Sequence, residues 1–175
     1  FCACHPISKK TGAYSDNVQL VRPFGQINII EKNADALAKV SKTKAVFNVP
    51  KGYNVENGMP TSETEEATKT AAFYPLSGSK NDCTANLFYD YIFAPTTGQT
   101  TLGEIKLTFT SNDDNLQIGD FTIPANMPVE RNKRTNISGH IVSVSDAPNN
   151  EAKLSVTISD GWSNDLIEKD ADVGN

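Results

Sequence analysis

The chain has 175 residues, 38% hydrophobic and 21% charged, with a net charge of −5 and a pI of about 5.0. A domain of this size buries roughly 70% of the surface its unfolded chain exposes, enough for one self-sufficient core. The acidic balance excludes the clustered basic surface that nucleic-acid recognition needs, the apolar content excludes a disordered chain, and no apolar run approaches the ~20 residues of a membrane-spanning helix.

Residues 1–17 read as a lead-in segment with turn signals at Thr11-Gly12 and Asp16-Asn17. The start at Phe1, without a methionine, reads as a mature or trimmed form of something longer. Cys2, Cys4 and Cys83 are too few for a disulfide-built scaffold. Cys2 and Cys4 flank a metal-like run with His5, but a structural zinc site needs four ligands, and only Cys83 and His140 remain to complete it. These cysteines are therefore read as packed or terminal residues, and a bridge from Cys83 to Cys2 or Cys4 stays open.

Val18 to Val21 reads as a short strand interrupted at Arg22-Pro23, where proline removes a ladder donor. Phe24 to Ile30 resumes as strand. Asn33 to Val40 is the one helix expected, with Asn33 as N-cap, Asp35 in the first turn, and an apolar stripe of Ala34, Leu37, Ala38 and Val40. Ala45 to Val49 is the next strand, stopped by Pro50. Asn57-Gly58 marks a turn, Thr61 to Thr70 is polar and acidic and reads as an exposed loop, and Ala71 to Tyr74 as a short strand.

The second half alternates more clearly. Ala85 to Phe93 carries bulk on both faces and reads as a central strand covered on both sides. In Leu102 to Thr110, Ile105, Leu107 and Phe109 point inward. Leu116 to Ile123 follows the Asn112-Asp113-Asp114-Asn115 turn, with a bulge suggested at Gly119-Asp120. Thr135 to Val144 and Lys153 to Ser159 form the last pair. Short strands separated by turn signals, with one short helix, predict a mainly β fold: an antiparallel β-sandwich of Greek-key, transthyretin-like type. The sandwich is expected over residues 18–162, with a polar tail over 163–175.

The chemistry-bearing residues point away from catalysis. His5 and His140 are the two histidines, neither lies in a nucleophile context, and no G-x-S-x-G elbow occurs. His140 is expected to point outward from a strand. Asp113-Asp114 is the obvious carboxylate pair but sits in a turn, where such side chains cap backbone locally. Asp160, Asp165 and Asp170 lack EF-hand spacing. Glycines are scattered singly, so no phosphate loop forms. Trp162 reads as a plug at a strand end, with a sugar platform as the alternative. No enzyme activity, cofactor or metal is expected.

Three segments resemble those of the fimbrillin-like (type V pilin-like) surface proteins of Bacteroidota. They are Leu20-Val21-Arg22-Pro23-Phe24-Gly25-Gln26-Ile27-Asn28-Ile29, Tyr89-Asp90-Tyr91-Ile92-Phe93-Ala94-Pro95, and Met127-Pro128-Val129-Glu130-Arg131-Asn132-Lys133-Arg134-Thr135-Asn136-Ile137. They occur in the family's order, spanning residues 20–139. The resemblance implies a C-terminal β-sandwich domain in which Arg22, Pro23, Phe24, Arg131, Asn132, Arg134, Thr135 and Asn136 are architectural. It also implies a non-enzymatic structural or adhesive module at the cell surface, outer membrane or extracellular fimbria, as a fimbrial subunit or fimbria-associated lipoprotein. Its partners would be other fimbrial or surface proteins and host or bacterial surface ligands. Nucleic acid would not be a partner, and membrane contact would come only through a lipid anchor outside this chain. Polymerising members insert a donor strand into a neighbour; the polar, acidic tail here reads as a poor one. The alternative is a carbohydrate-binding module of a surface glycan-recognition protein. That reading expects Trp162, or tyrosines such as Tyr53 and Tyr74, on one exposed face with carboxamides beside them.

Overall fold

The computed structural model describes residues 17, 20–72, 86–111, 116–144, 154–160 and 166–168. Among them lie thirteen strands and one helix. The first half holds β1 (Phe24–Glu31), α1 (Ala34–Leu37), β2 (Val40–Pro50), β3 (Tyr53–Asn54), β4 (Met59–Pro60) and β5 (Thr64–Ala72). The second holds β6 (Asn86–Phe93), β7 (Gln99–Leu102), β8 (Ile105–Ser111), β9 (Gln117–Ile123), β10 (Met127–Glu130), β11 (Lys133–Gly139), β12 (Ser155–Asp160) and β13 (Leu166–Glu168).

Two sheets make a β-sandwich. One runs β13-β12-β11-β1-β6, the other β5-β2-β8-β9, and two-stranded ribbons β7-β10 and β3-β4 complete it. Every pairing is antiparallel except that of β1 with β11. That parallel pair lies inside its sheet, where both edges are satisfied. Alternation dictates the core: Ile27 and Ile29 of β1, Ile137 of β11 and Val156 of β12 face Ala45 and Phe47 of β2 and Ile105, Leu107 and Phe109 of β8. Phe47 and Phe88 meet edge-on across the sheets at 5.9 Å. Full burial of each large aliphatic or aromatic side chain contributes about 1.5–3 kcal/mol.

The helix is a single turn. Asn33 caps it as expected, its Oδ1 accepting from the backbone N–H of Asp35 (2.9 Å) and Ala36 (3.2 Å). It ends at Leu37 rather than reaching Val40, because Val40, 1% exposed, opens β2 and packs in the core. Three bulges adjust the sheets. Leu87 is the extra residue of β6 opposite Ile29/Ile30, so that Leu87 and Phe88, neighbours in sequence, are both buried. Ser41 is extra in β2, and its hydroxyl donates to the carbonyls of Thr110 and Ser111 that the bulge frees. The third falls at Ile118, beside the expected Gly119.

Three readings need correction. Thr61 to Thr70 is mostly strand: β5 starts at Thr64 and pairs with β2 along its length. As an edge strand it exposes polar side chains on both faces, which erased the alternation. β6 is not central; it is an edge strand whose Tyr89 and Tyr91 lie 54% and 45% exposed. A tyrosine ring tolerates a wet face, so bulk on both sides did not mean cover on both sides. The sheet also continues beyond residue 162, where β13 pairs antiparallel with β12.

Thr43 is 1% exposed in the core of β2, and its hydroxyl has no hydrogen-bond partner among the described residues. Thr43→Val keeps the shape and removes that buried polar atom. It is expected to raise stability by about 1 kcal/mol, read as a midpoint roughly 2–4 °C higher in thermal unfolding.

Candidate functional site

The residues singled out in the two outer motifs come together at one junction. β1 and β11 lie side by side, pairing Gln26 with Arg134, Ile27 with Thr135, and Asn28 with Asn136. Arg131 and Asn132 form the two-residue turn between β10 and β11. Asn132 has φ of 60°, a left-handed conformation that asparagine tolerates better than most residues. Its N–H donates to the Phe24 carbonyl (2.9 Å), and its side-chain oxygen accepts from Arg22 Nη1 (3.2 Å). The Pro23 carbonyl accepts from Ala94 N–H (3.0 Å), and Phe24 packs edge-on against Tyr91 (5.1 Å). Thr135 Oγ1 donates to the Pro128 carbonyl (2.6 Å), and Lys133 bridges to Glu130 (2.7 Å). Asn132→Ala leaves a β-carbon in the left-handed region without the short amide that favours it there, and removes one hydrogen bond from Arg22. A loss of about 1–2 kcal/mol is expected in urea unfolding, and a smaller loss for Asn132→Gly.

A buried carboxylate closes the other end of β1. Glu31 is 2% exposed. Its Oε2 accepts from the backbone N–H of Ile141 (2.7 Å) and Val142 (2.6 Å), and its Oε1 from Asn33 N–H (2.8 Å) and Ser143 Oγ (3.1 Å). His140 Nδ1 lies 3.4 Å from Ser143 Oγ. An acid, a serine and a histidine thus meet, but in the wrong order for a relay. The serine sits between the other two and donates its hydrogen bond to the carboxylate, whereas a triad places the histidine in the middle. The cluster ties the segment after β11 to the start of α1. His140 follows the last residue of β11 rather than standing on its outer face.

A groove of about 350 Å³ opens beside β7, with Ile92 and Leu102 among its lining and Asn48, Thr61, Thr64, Gln99, Thr100 and Thr101 supplying polar groups. None of its lining residues is ionisable. Hydroxyls and amides orient a neutral guest but move no protons at neutral pH. Its rim is fixed: Gly58, at φ +69°, accepts at its carbonyl from Thr96 N–H (2.8 Å) and Thr96 Oγ1 (3.0 Å). Tyr53 stacks on Phe93 (5.7 Å) and meets Thr96 Oγ1 through its hydroxyl (3.3 Å).

The outward face of the five-stranded sheet carries a different chemistry. Cross-strand register sets Tyr91, Gln26, Arg134 and Ser159 in one row, and Tyr89, Asn28, Asn136 and Thr157 in the next. The two tyrosine rings lie 6.4 Å apart, nearly perpendicular. Asn28 Nδ2 donates to Asn136 Oδ1 (2.7 Å). Gln26 is 9% and Asn28 4% exposed, yet among the described residues Gln26 Oε1 and Asn28 Oδ1 have no hydrogen-bond partner, and Asn86 Oδ1, opposite Ile30, has none either. A buried acceptor left unsatisfied costs about 1–3 kcal/mol, so three along one face call for a physical reason.

The profile of a protein family described as a family of unknown function (DUF6562) matches residues 1–174. The chain belongs to this family. No curated protein and no solved structure matches it.

On this DUF6562 domain, seven of the eight motif residues fall at the described contacts or pairings of β1 and β11, and Arg131 takes the turn beside them. Among the described residues, no three His, Cys, Asp or Glu side chains gather as a metal site would require, and no helix is long and apolar enough to cross a membrane. Cys2, Cys4, His5, Cys83, Tyr74, Asp113, Asp114, Trp162, Asp165 and Asp170 lie outside the described residues. The Glu31 staple has no local signature because three of its four partners, the Ile141 and Val142 N–H groups and the Ser143 hydroxyl, lie 110–112 residues away. The tyrosine and carboxamide rows were spelled in the sequence as Gln26-x-Asn28 and Tyr89-x-Tyr91, at the period of two that puts side chains on one face.

Proposed function

We propose that this chain is a non-enzymatic structural or adhesive module of the cell surface, a fimbrial subunit or a domain of a fimbria-associated lipoprotein. The observation that carries this reading is the junction of the motifs. The residues through which the chain resembles fimbrillin-like proteins lock β1 against the β10–β11 turn, so the resemblance lies in the residues that hold the sandwich together. A sandwich fixed in this way leaves strand edges and outer faces as the working surfaces. Its partners are other fimbrial or surface proteins, or ligands on host or bacterial surfaces.

Adhesion is the property to measure. Beads coated with the purified protein are expected to stay on immobilised surface extracts or mucin-type glycoprotein under flow that removes albumin-coated beads. Equal detachment of both would overturn the reading.

The alternative, a carbohydrate-binding module, is favoured by one observation. Tyr89 and Tyr91 are exposed, with the carboxamides of Asn28 and Gln26 opposite them, whereas of the aromatics expected for this reading Tyr53 is half-buried against Phe93 and Tyr74 and Trp162 lie outside the described residues. In that reading the adhesive contact is made to glycan.

A further inference from the structure

We infer that the outer face of the five-stranded sheet is a binding platform for an uncharged, hydroxyl-rich saccharide, with Tyr89 and Tyr91 as the stacking surface and Gln26, Asn28 and Asn136 as the polar readers. The inference rests on the glycan-recognition reading above and names its site and ligand class.

Two independent features converge on this face. The first is exposure where a strand interior ordinarily hides bulk. Tyr89 and Tyr91 are the exposed large aromatic side chains among the described residues, and both project from the same side of β6. Their rings, 6.4 Å apart and nearly perpendicular, form a step rather than a flat plate. The apolar C–H face of a pyranose packs on such a ring, while its hydroxyls point to the rim.

The second feature is hydrogen-bonding capacity that the folded chain leaves unused. Gln26 lies directly opposite Tyr91, and Asn28 directly opposite Tyr89. Both are at least nine-tenths buried, and each has a carbonyl oxygen without a donor among the described residues. Sugar hydroxyls are donors of the required size and can accept from an amide N–H₂ at the same time. The rows continue across β11 and β12 through Arg134, Asn136, Thr157 and Ser159. Strands about 4.8 Å apart give each row a length of roughly 14 Å from tyrosine to β12, which suits a saccharide of more than one ring.

Charge selects among ligands. Arg134 is the single cation in these rows over β6, β1, β11 and β12. One guanidinium in a chain of net charge −5 is a poor trap for a polyanion. The ligand is therefore a neutral glycan rather than a sulfated or uronic-acid polymer.

The test uses affinity electrophoresis of the whole chain in gels carrying mannan, galactomannan, xyloglucan or laminarin, with heparin as the anionic probe. At least one neutral polysaccharide is expected to retard the protein. Tyr89→Ala with Tyr91→Ala should weaken retardation about tenfold or more, as expected for loss of a stacked aromatic contact. Tyr89→Phe with Tyr91→Phe should retain it, and added salt should leave it unchanged. Thermal unfolding shows whether the alanine variant still folds. Should it fail to, tyrosine-selective NMR labelling of the wild type carries the test: a neutral polysaccharide should move the Tyr89 and Tyr91 signals and leave Tyr53 in place. The inference is overturned if no neutral polysaccharide binds, if binding survives the double alanine substitution, if only heparin binds, or if Tyr53 alone responds. Beads that adhere equally well with both tyrosines removed would likewise overturn it, while leaving the adhesive reading intact.

Discussion

Glu31→Ala is expected to be among the most damaging single substitutions in the chain, lowering stability by roughly 4 kcal/mol. The loss is not one of charge alone. Three backbone N–H groups and the Ser143 hydroxyl converge on this carboxylate, which is 2% exposed. Without it they stay buried and unpaired, at about 1–3 kcal/mol for each donor that water cannot reach. For a chain of this length each kcal/mol moves the thermal midpoint by about 2–4 °C, so a fall of roughly 8–16 °C is expected. Glu31→Gln separates shape from chemistry. It preserves volume but turns one acceptor into an N–H₂ that faces donors, and about 2–3 kcal/mol should still be lost. If Glu31→Ala melts within about 2 °C of the wild type, the staple contributes nothing at the scale argued.

Gly25→Ala is the second large effect. A β-carbon at Gly25 would overlap the Glu130 carbonyl oxygen and stand 2.9 Å from Val129 Cγ1. The obstacle is backbone, which cannot rotate aside. β1 would have to move away from the end of β10, breaking the approach that lets Asn132 N–H reach the Phe24 carbonyl. A loss of about 3 kcal/mol is expected, at the upper end of overpacking effects. Gly103→Ala is the control. Among the described residues nothing lies within 4 Å of a β-carbon there, so a change within about 1 kcal/mol is expected. Equal effects at both glycines would mean that close approach at the junction is not what requires Gly25.

Much of the sandwich was legible because a half-buried strand writes its burial into sequence. Ile105, Leu107 and Phe109, like Val156 and Ile158, alternate with polar residues and all point inward. β5 was illegible for the converse reason: an edge strand whose inner face is only half-buried, through Ala67 and Ala71, has almost no apolar period to show. β10 was hidden by Pro128 and by its length of four residues. The helix was placed correctly at Asn33 because capping is local chemistry, and ended too late because Val40 answers to the sheet.

The site was legible in part. Arg22-Pro23-Phe24 and Arg131 to Asn136 stood out in the sequence, but their meeting depends on a parallel pairing of strands 108 residues apart, which no local pattern encodes. Tyr89 and Tyr91 were assigned to a covered strand, so their exposure came only with the sheet order. Sequence supplied the residue types of a recognition face, and topology decided which of them share it.

Surface display is the claim on which the functional account rests, and immunogold labelling of intact, unpermeabilised cells of the source organism tests it most directly. The account predicts gold at the cell boundary or along extracellular filaments before any permeabilisation. Label that appears only after the envelope is opened would contradict it.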